Sequence, residues 1–162
     1  MAAAGLRAAT LQQLSFEQMS QSATAVVRAR VVDSSAGLVG SSVYTHYKLN
    51  VSEVWKGESP SEVALPGGTV NGRSESYPGV PELRVGAEYV LFLWTSRTTG
   101  ITHLVGLSQG LFELTSQDGA AVASRRASGE AMLDAAGRRT SDQAMSMPLA
   151  GMKARVRQAV SR

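Results

Sequence analysis

His46 and His103 are the two histidines of this 162-residue chain, and imidazole is the side chain whose ordinary titration falls nearest neutral pH. Either has the chemistry of a general base or a metal ligand. A zinc site, however, needs three or four ligands, and no third stands at a fixed spacing from these two. The chain has no cysteine, which removes thiolate ligands, disulfides and a cysteine nucleophile. Glu53, Glu58 and Glu62 gather around one turn, but paired-carboxylate catalysis also needs a cleft between the acids. No metal, cofactor or catalytic residue is assigned from these groups, and the expectation is a protein that is not an enzyme.

Two segments imitate known motifs. Gly67-Gly68-Thr69-Val70-Asn71-Gly72-Arg73-Ser74 follows the phosphate-loop pattern with Arg73 in place of lysine. A phosphate loop runs directly into a helix, and Pro78 and Pro81 leave no room for one. Gly106-Leu107-Ser108-Gln109-Gly110 has the spacing of a nucleophile elbow. That elbow turns from strand into helix, with its histidine later in the chain. Here a strand is predicted after Gly110, and both histidines precede Ser108. Arg125-Arg126-Ala127-Ser128 has the form of a phosphorylation site, as is common by chance in an arginine-rich segment. Asn50-Val51-Ser52 is a glycosylation triplet, but it falls inside a predicted strand.

The elements that must position these residues are mostly strands. The chain is long enough for one domain and 43% hydrophobic, enough for a core. Ala25 to Val32 reads as a strand, with turn chemistry from Ser34 to Gly40. In the next strand Val43, Thr45, Tyr47, Leu49 and Val51 face one way while Tyr44, His46, Lys48, Asn50 and Ser52 face the other. Val54 and Trp55 break that register, which predicts a bulge near Ser52 and Glu53. Glu62 to Leu65 is a short strand, and Thr69 to Arg84 reads as a long polar loop. The apolar run Tyr89-Val90-Leu91-Phe92-Leu93-Trp94 belongs to the middle of the fold. Ile101 to Leu107, Leu111 to Thr115 and Ala120 to Ser124 complete the strands, the last two joined by an Asp118-Gly119 hairpin. A short helix is predicted over 9–21, mostly loop over 125–147, and a last helix from Pro148 to about Val160. Leu149, Met152, Val156 and Val160 form the apolar stripe of that helix.

The resulting expectation is a mainly β fold: a small five- to six-strand barrel with a short N-terminal helix and a C-terminal helix. Residues 1–23 form an extension, 24–124 the barrel, and 125–162 a basic tail ending in the helix. Residues 1–119 hold eight basic and ten acidic side chains, whereas 120–162 hold eight basic and three acidic. No apolar run approaches the ~18–20 residues that cross a bilayer as a helix. The N-terminal stretch, broken by Arg7, Thr10, Gln12 and Gln13, lacks the apolar core of a signal peptide.

Several motifs then stand in a familiar order: Val54-Trp-Lys-Gly57, Pro66-Gly-Gly, Gly86-Ala-Glu-Tyr-Val-Leu-Phe-Leu93 and Gly106-Leu-Ser-Gln-Gly-Leu-Phe-Glu-Leu114. The pattern resembles a group of uncharacterised, often exported bacterial proteins. Across roughly residues 24 to 115, its strands are similar to those of netrin-like modules and tissue inhibitors of metalloproteinases. The resemblance implies an oligonucleotide/oligosaccharide-binding type of barrel and an exported, periplasmic or secreted protein. Those inhibitors chelate the protease zinc through an N-terminal cysteine, so the lack of cysteine bars that mechanism.

The function expected is a non-enzymatic binding module that touches an unknown protein or glycan. Its site is expected on the long polar loop, at Asn71, Arg73, Glu75 and Tyr77. The alternative is a barrel with a basic tail that binds single-stranded nucleic acid, stacking bases on a face such as Tyr44, His46 and Lys48. The slight acidity of residues 1–119 disfavours nucleic acid.

Overall fold

The computed structural model describes residues 10–162. In chain order the elements are β1 (Leu11–Gln12), α1 (Phe16–Ser22), β2 (Ala25–Val39), β3 (Ser42–Lys56), β4 (Glu62–Pro66), β5 (Gly68–Val70) and β6 (Arg73–Glu75). They continue with β7 (Glu88–Thr95), β8 (Thr102–Leu104), a 3-10 turn (Leu107–Gly110), β9 (Leu111–Gln117), β10 (Ala120–Arg125), β11 (Met132–Leu133), β12 (Arg139–Thr140), β13 (Met145–Pro148) and α2 (Leu149–Val160).

Eight strands form one antiparallel sheet in the order β13-β10-β9-β7-β2-β3-β4, with β8 also paired to β7. This corrects the expected five- to six-strand barrel, because the sheet is not closed: it ends at β13 on one side and β4 on the other. The reason lies in the Gly106–Gly110 segment. Tyr89 to Leu91 of β7 pair with β9, and Leu93 to Thr95 pair with β8. Strands β8 and β9 thus run along the same side of β7, separated by the 3-10 turn. Gly106 and Leu107 both take left-handed backbone conformations there (φ 63° and 55°). At Gly110 a Cβ would lie 2.4 Å from the Val105 carbonyl oxygen, so glycine is required. Beyond the break, β9 continues through the Asp118–Gly119 turn to β10 and β13. Those strands carry the sheet away from β4 rather than back to it.

Strands β2 and β3 are each 15 residues long. Their pairing carries register shifts where Ser52 and Trp55 lie unpaired on β3, and where Val32 does on β2. The bulge predicted near Ser52 and Glu53 is therefore present. Strand β2 runs on through the predicted turn at Ser34 to Gly40, and the chain reverses only at Gly40 and Ser41.

Each sheet face has its own core. On one face Val26, Val90, Phe92, Phe112 and Ala123 pack against Phe16 and Met19 of α1 and Met152 and Val156 of α2. Fully burying such a side chain is worth about 1.5–3 kcal/mol. On the other, Val27, Val31, Tyr47, Leu49, Val63, Leu65, Leu91, Leu93 and Leu104 pack together where β3 and β4 curl over β7 and β8. The alternation predicted for β3 sets this arrangement, since Val43, Tyr47 and Leu49 are buried.

The segments flanking the sheet differ from expectation in part. The predicted helix over 9–21 is instead β1 followed by α1, whose first turn is set by a capping box between Ser15 and Gln18. Helix α2 buries Leu149, Met152 and Val156 as predicted, but Ala159 takes the place of Val160, which is exposed. Residues 125–147 are mostly loop, yet they are pinned. Strand β11 pairs with β1 and β12, and the Arg125 guanidinium donates to Asp142 Oδ1 (3.1 Å) and to the Gln109 carbonyl (2.8 Å) in the interior.

Candidate functional site

Strand β4 ends the sheet on one side, β8 has no partner beyond β7 in its own stretch, and the two lie beside each other without pairing. Each is antiparallel to its own neighbour through β3, β2 and β7, so β4 and β8 point the same way. Leu49 N–H donates to Ser61 O, and Gly67 N–H to Val43 O. With this register, alternate residues bond inward. The backbone groups of Glu62 and Ala64 therefore face away from β3. Ser96 N–H donates to Ile101 O and Val105 N–H to Phe92 O, which by the same alternation turns the backbone groups of Thr102 and Leu104 away from β7. Among the described residues these outward donors and acceptors have no backbone partner, and the two strand edges lie side by side along a seam.

The seam is open at one end. A cleft of about 760 Å³ is lined by Glu62 and Ala64 of β4, His46 of β3, Thr95 and Thr102, and by the 57–61 and 99–101 turns. Its lining comes from both faces of the sheet. His46, Glu62 and Ala64 lie on the outer face, while Ala25, Thr95 and Thr102 share the parity of the buried Val27, Leu93 and Leu104. The cleft therefore opens at the end of the sheet, where both faces meet, and beyond it β4 and β8 pack side by side. At the other end the Tyr44 and His103 rings meet edge-on at 6.4 Å.

Within the cleft His46 Nδ1 lies 2.7 Å from Glu62 Oε1. Among the described residues no serine or threonine hydroxyl hydrogen-bonds His46, and the Thr95 and Thr102 hydroxyls bond each other at 2.8 Å. The pair thus has no nucleophile in place for acyl transfer. At the other end of the seam, Trp94 stacks on His103 with ring centroids 5.8 Å apart, and Tyr44 completes a short aromatic shelf. Burial pushes the His103 imidazole below its ordinary pKa, so it is neutral at neutral pH. Gly57 closes the floor: its φ is +71°, and a Cβ there would sit 1.9 Å from the Thr24 carbonyl oxygen.

The residues expected to form a site on the long loop stand elsewhere. The loop from Thr69 opens with the β5–β6 hairpin, turned by Asn71 in the left-handed region (φ 51°) and Gly72. That hairpin occupies the phosphate-loop pattern. Asn71 is at its exposed tip. Arg73 pairs with Glu75 at 2.6 Å. Glu75 accepts the Val43 N–H and the Tyr77 hydroxyl, both at 2.9 Å, which ties the hairpin to the start of β3 and holds the Glu75 carboxyl below its ordinary pKa. Glu75 and Tyr77 line a smaller cavity of about 310 Å³ with Thr45 and Tyr47, and Asn71 and Arg73 do not. Tyr44 and His46 stay on one face as read, and the cleft beside them was not legible. It depends on β4 meeting β8, a pairing failure between strands far apart in sequence.

In the basic segment, Arg125, Arg138, Lys153 and Arg155 each pair with a carboxylate. Ser108 lies within the 3-10 turn that leads into β9, and among the described residues its buried hydroxyl has no hydrogen-bond partner. Among the described residues no group of three or more His, Asp or Glu is placed to hold a metal, and no helix is long and apolar enough to cross a membrane.

No protein-family model matches the chain, and no curated protein matches it. The resemblance to netrin-like modules gains no support from these comparisons.

Proposed function

We propose that this protein is a binding module that takes an extended polypeptide segment into the cleft at the open end of the seam between β4 and β8. The observation that carries this reading is a cleft open to solvent at the end of β4 and β8, where among the described residues the outward backbone groups of Glu62 and Thr102 have no partner. An exposed edge is a template for another strand, and strand addition is a recurrent mode of peptide recognition. A segment seated in the cleft reaches the outward backbone groups of Glu62 or Thr102 at its rim, while β4 and β8 themselves lie too close for it to pass between them. Single-stranded nucleic acid fits this cleft less well, because no Lys or Arg among the described residues lines it and phosphate binding rests on such groups.

The experiment is selection of linear dodecapeptides from a random display library, followed by titration of the recovered peptides into wild type and Thr102→Pro. Proline at the first position of a strand keeps the β7 ladder but removes the N–H that faces the seam. Recovered peptides should lose about tenfold or more in affinity for Thr102→Pro, the cost of roughly one hydrogen bond with its register. Failure to recover any peptide, or equal affinity for a folded Thr102→Pro, would contradict the reading.

A further inference from the structure

Another cleft, sharing no lining residue with the first, lies across β9 between the 79–84 loop and the 124–130 segment. Its volume is about 560 Å³, within the range that takes a small molecule. Ser108 lines it, and the Ser108 hydroxyl is buried with no hydrogen-bond partner among the described residues. A buried hydroxyl left unpaired is destabilising, and such a group in a folded protein calls for an explanation. The residue before it, Leu107, is held at φ 55°, a left-handed conformation that is costly for leucine. Alanine at 108 and glycine at 107 would relieve both costs, so the fold alone does not call for the residues present.

The walls decide what kind of molecule that hydroxyl serves. Arg84 pairs with Glu113, and Arg125 with Asp142, so those charges are already matched. Arg126, Glu82 and Glu130 also line the cleft and make no ion pair among the described residues. They are of both signs, so an anion meets Glu82 and Glu130, and a cation meets Arg126. An uncharged molecule rich in hydroxyls escapes both conflicts, because a hydroxyl donates to a carboxylate and accepts from a guanidinium or a serine. Ser124 and Ser128 line the cleft as well. Ser128 Oγ accepts the Glu130 N–H at 3.1 Å and keeps its own proton to donate. Val80, Pro81 and Leu111 supply an apolar wall for the C–H face of a sugar ring.

We infer that this cleft is a binding site for a neutral sugar, with the Ser108 hydroxyl as its buried anchor. Ser108 exchanges a hydrogen bond with one sugar hydroxyl, Arg126 donates to another, and Glu82 or Glu130 accepts from a third. The site is independent of the cleft beside β4 and β8, so either assignment can fail without the other.

Titration with glucose, galactose, mannose and N-acetylglucosamine, followed through the amide shifts of Ser108, Ser124 and Ser128, tests this, with acetate and methylammonium as charged controls. At least one sugar should bind with a Kd of about 10 mM or tighter, and neither ion should bind at the same concentration. Ser108→Ala should weaken that sugar about fivefold or more, the contribution of one hydrogen bond, while urea unfolding finds the variant as stable as wild type or more so. Arg126→Ala, at an exposed position, should weaken the sugar by a similar factor. No shift with any of the four sugars up to about 100 mM, binding of either ion in their place, or unchanged affinity in Ser108→Ala would each overturn the assignment. A destabilised Ser108→Ala would do the same, because the hydroxyl then has its partner within the fold.

Discussion

Lys153 Nζ lies 2.9 Å from Glu53 Oε2, joining the C-terminal helix to the bulged end of β3 across 100 residues of sequence. The same carboxylate accepts the Trp55 indole N–H at 2.8 Å and receives Arg28 on its other oxygen. These bonds, the Trp55 indole first, hold Glu53 down to about 2 from an ordinary 4.5. A depressed carboxylate stabilises the fold above its unfolded pKa and loses that contribution as pH falls through the folded one. The protein should therefore lose stability from near pH 5 down towards pH 2. With a third of the side chain open to solvent, roughly 1–2 kcal/mol is at stake. Urea unfolding of wild type and Glu53→Gln should show this, with a flatter pH dependence in the variant.

The Arg125–Asp142 pair is the strongest claim that residues beyond 124 belong to the folded unit. Both side chains are nearly inaccessible, at 6% and 2% exposure. Arg125 also lies over the Phe112 ring, 5.5 Å from its centre. Removing either partner leaves a buried charge alone, so Arg125→Ala and Asp142→Ala should each cost about 3–5 kcal/mol. The double variant should lose less than the sum of the two. Denaturant unfolding of the four proteins measures both.

Two glycines with left-handed backbones should respond differently to alanine. Gly57→Ala drives a Cβ into the Thr24 carbonyl beside the cleft, whereas nothing lies within 4 Å of a Cβ at Gly72. The first should lose more than about 3 kcal/mol and the second about 1 kcal/mol, the cost of the backbone conformation alone. Thermal unfolding of the two variants would show the difference, and near-equal effects would contradict it.

Period-two alternation made β3 and its buried face legible, and the unbroken apolar run of β7 marked the centre of the sheet. The Asp118–Gly119 turn and the stripe of α2 were equally plain. Open architecture was not legible, because it follows from the break at Gly106–Gly110, whose glycines first read as a motif decoy. The helix expected over 9–21 starts only at Phe16, where Ser15 and Gln18 form the capping box. Asn71-Gly72 was a hairpin signal hidden inside a polar stretch. The seam has no local signature at all: it arises from which strands meet, and only His46 and Glu62, sixteen residues apart, hinted at it.

Hydrogen exchange at the amides of Glu62, Ala64 and Thr102, with and without a saturating peptide recovered from the library, tests the proposed binding cleft most directly. In the free protein these N–H groups should exchange faster than those of Val63, Leu65 and His103, which bond within the sheet. Bound peptide should slow the exchange of Ala64 and Thr102 by about tenfold or more, while leaving the inward set unchanged. Peptide that binds without slowing these two amides, or free amides already protected, would contradict the account.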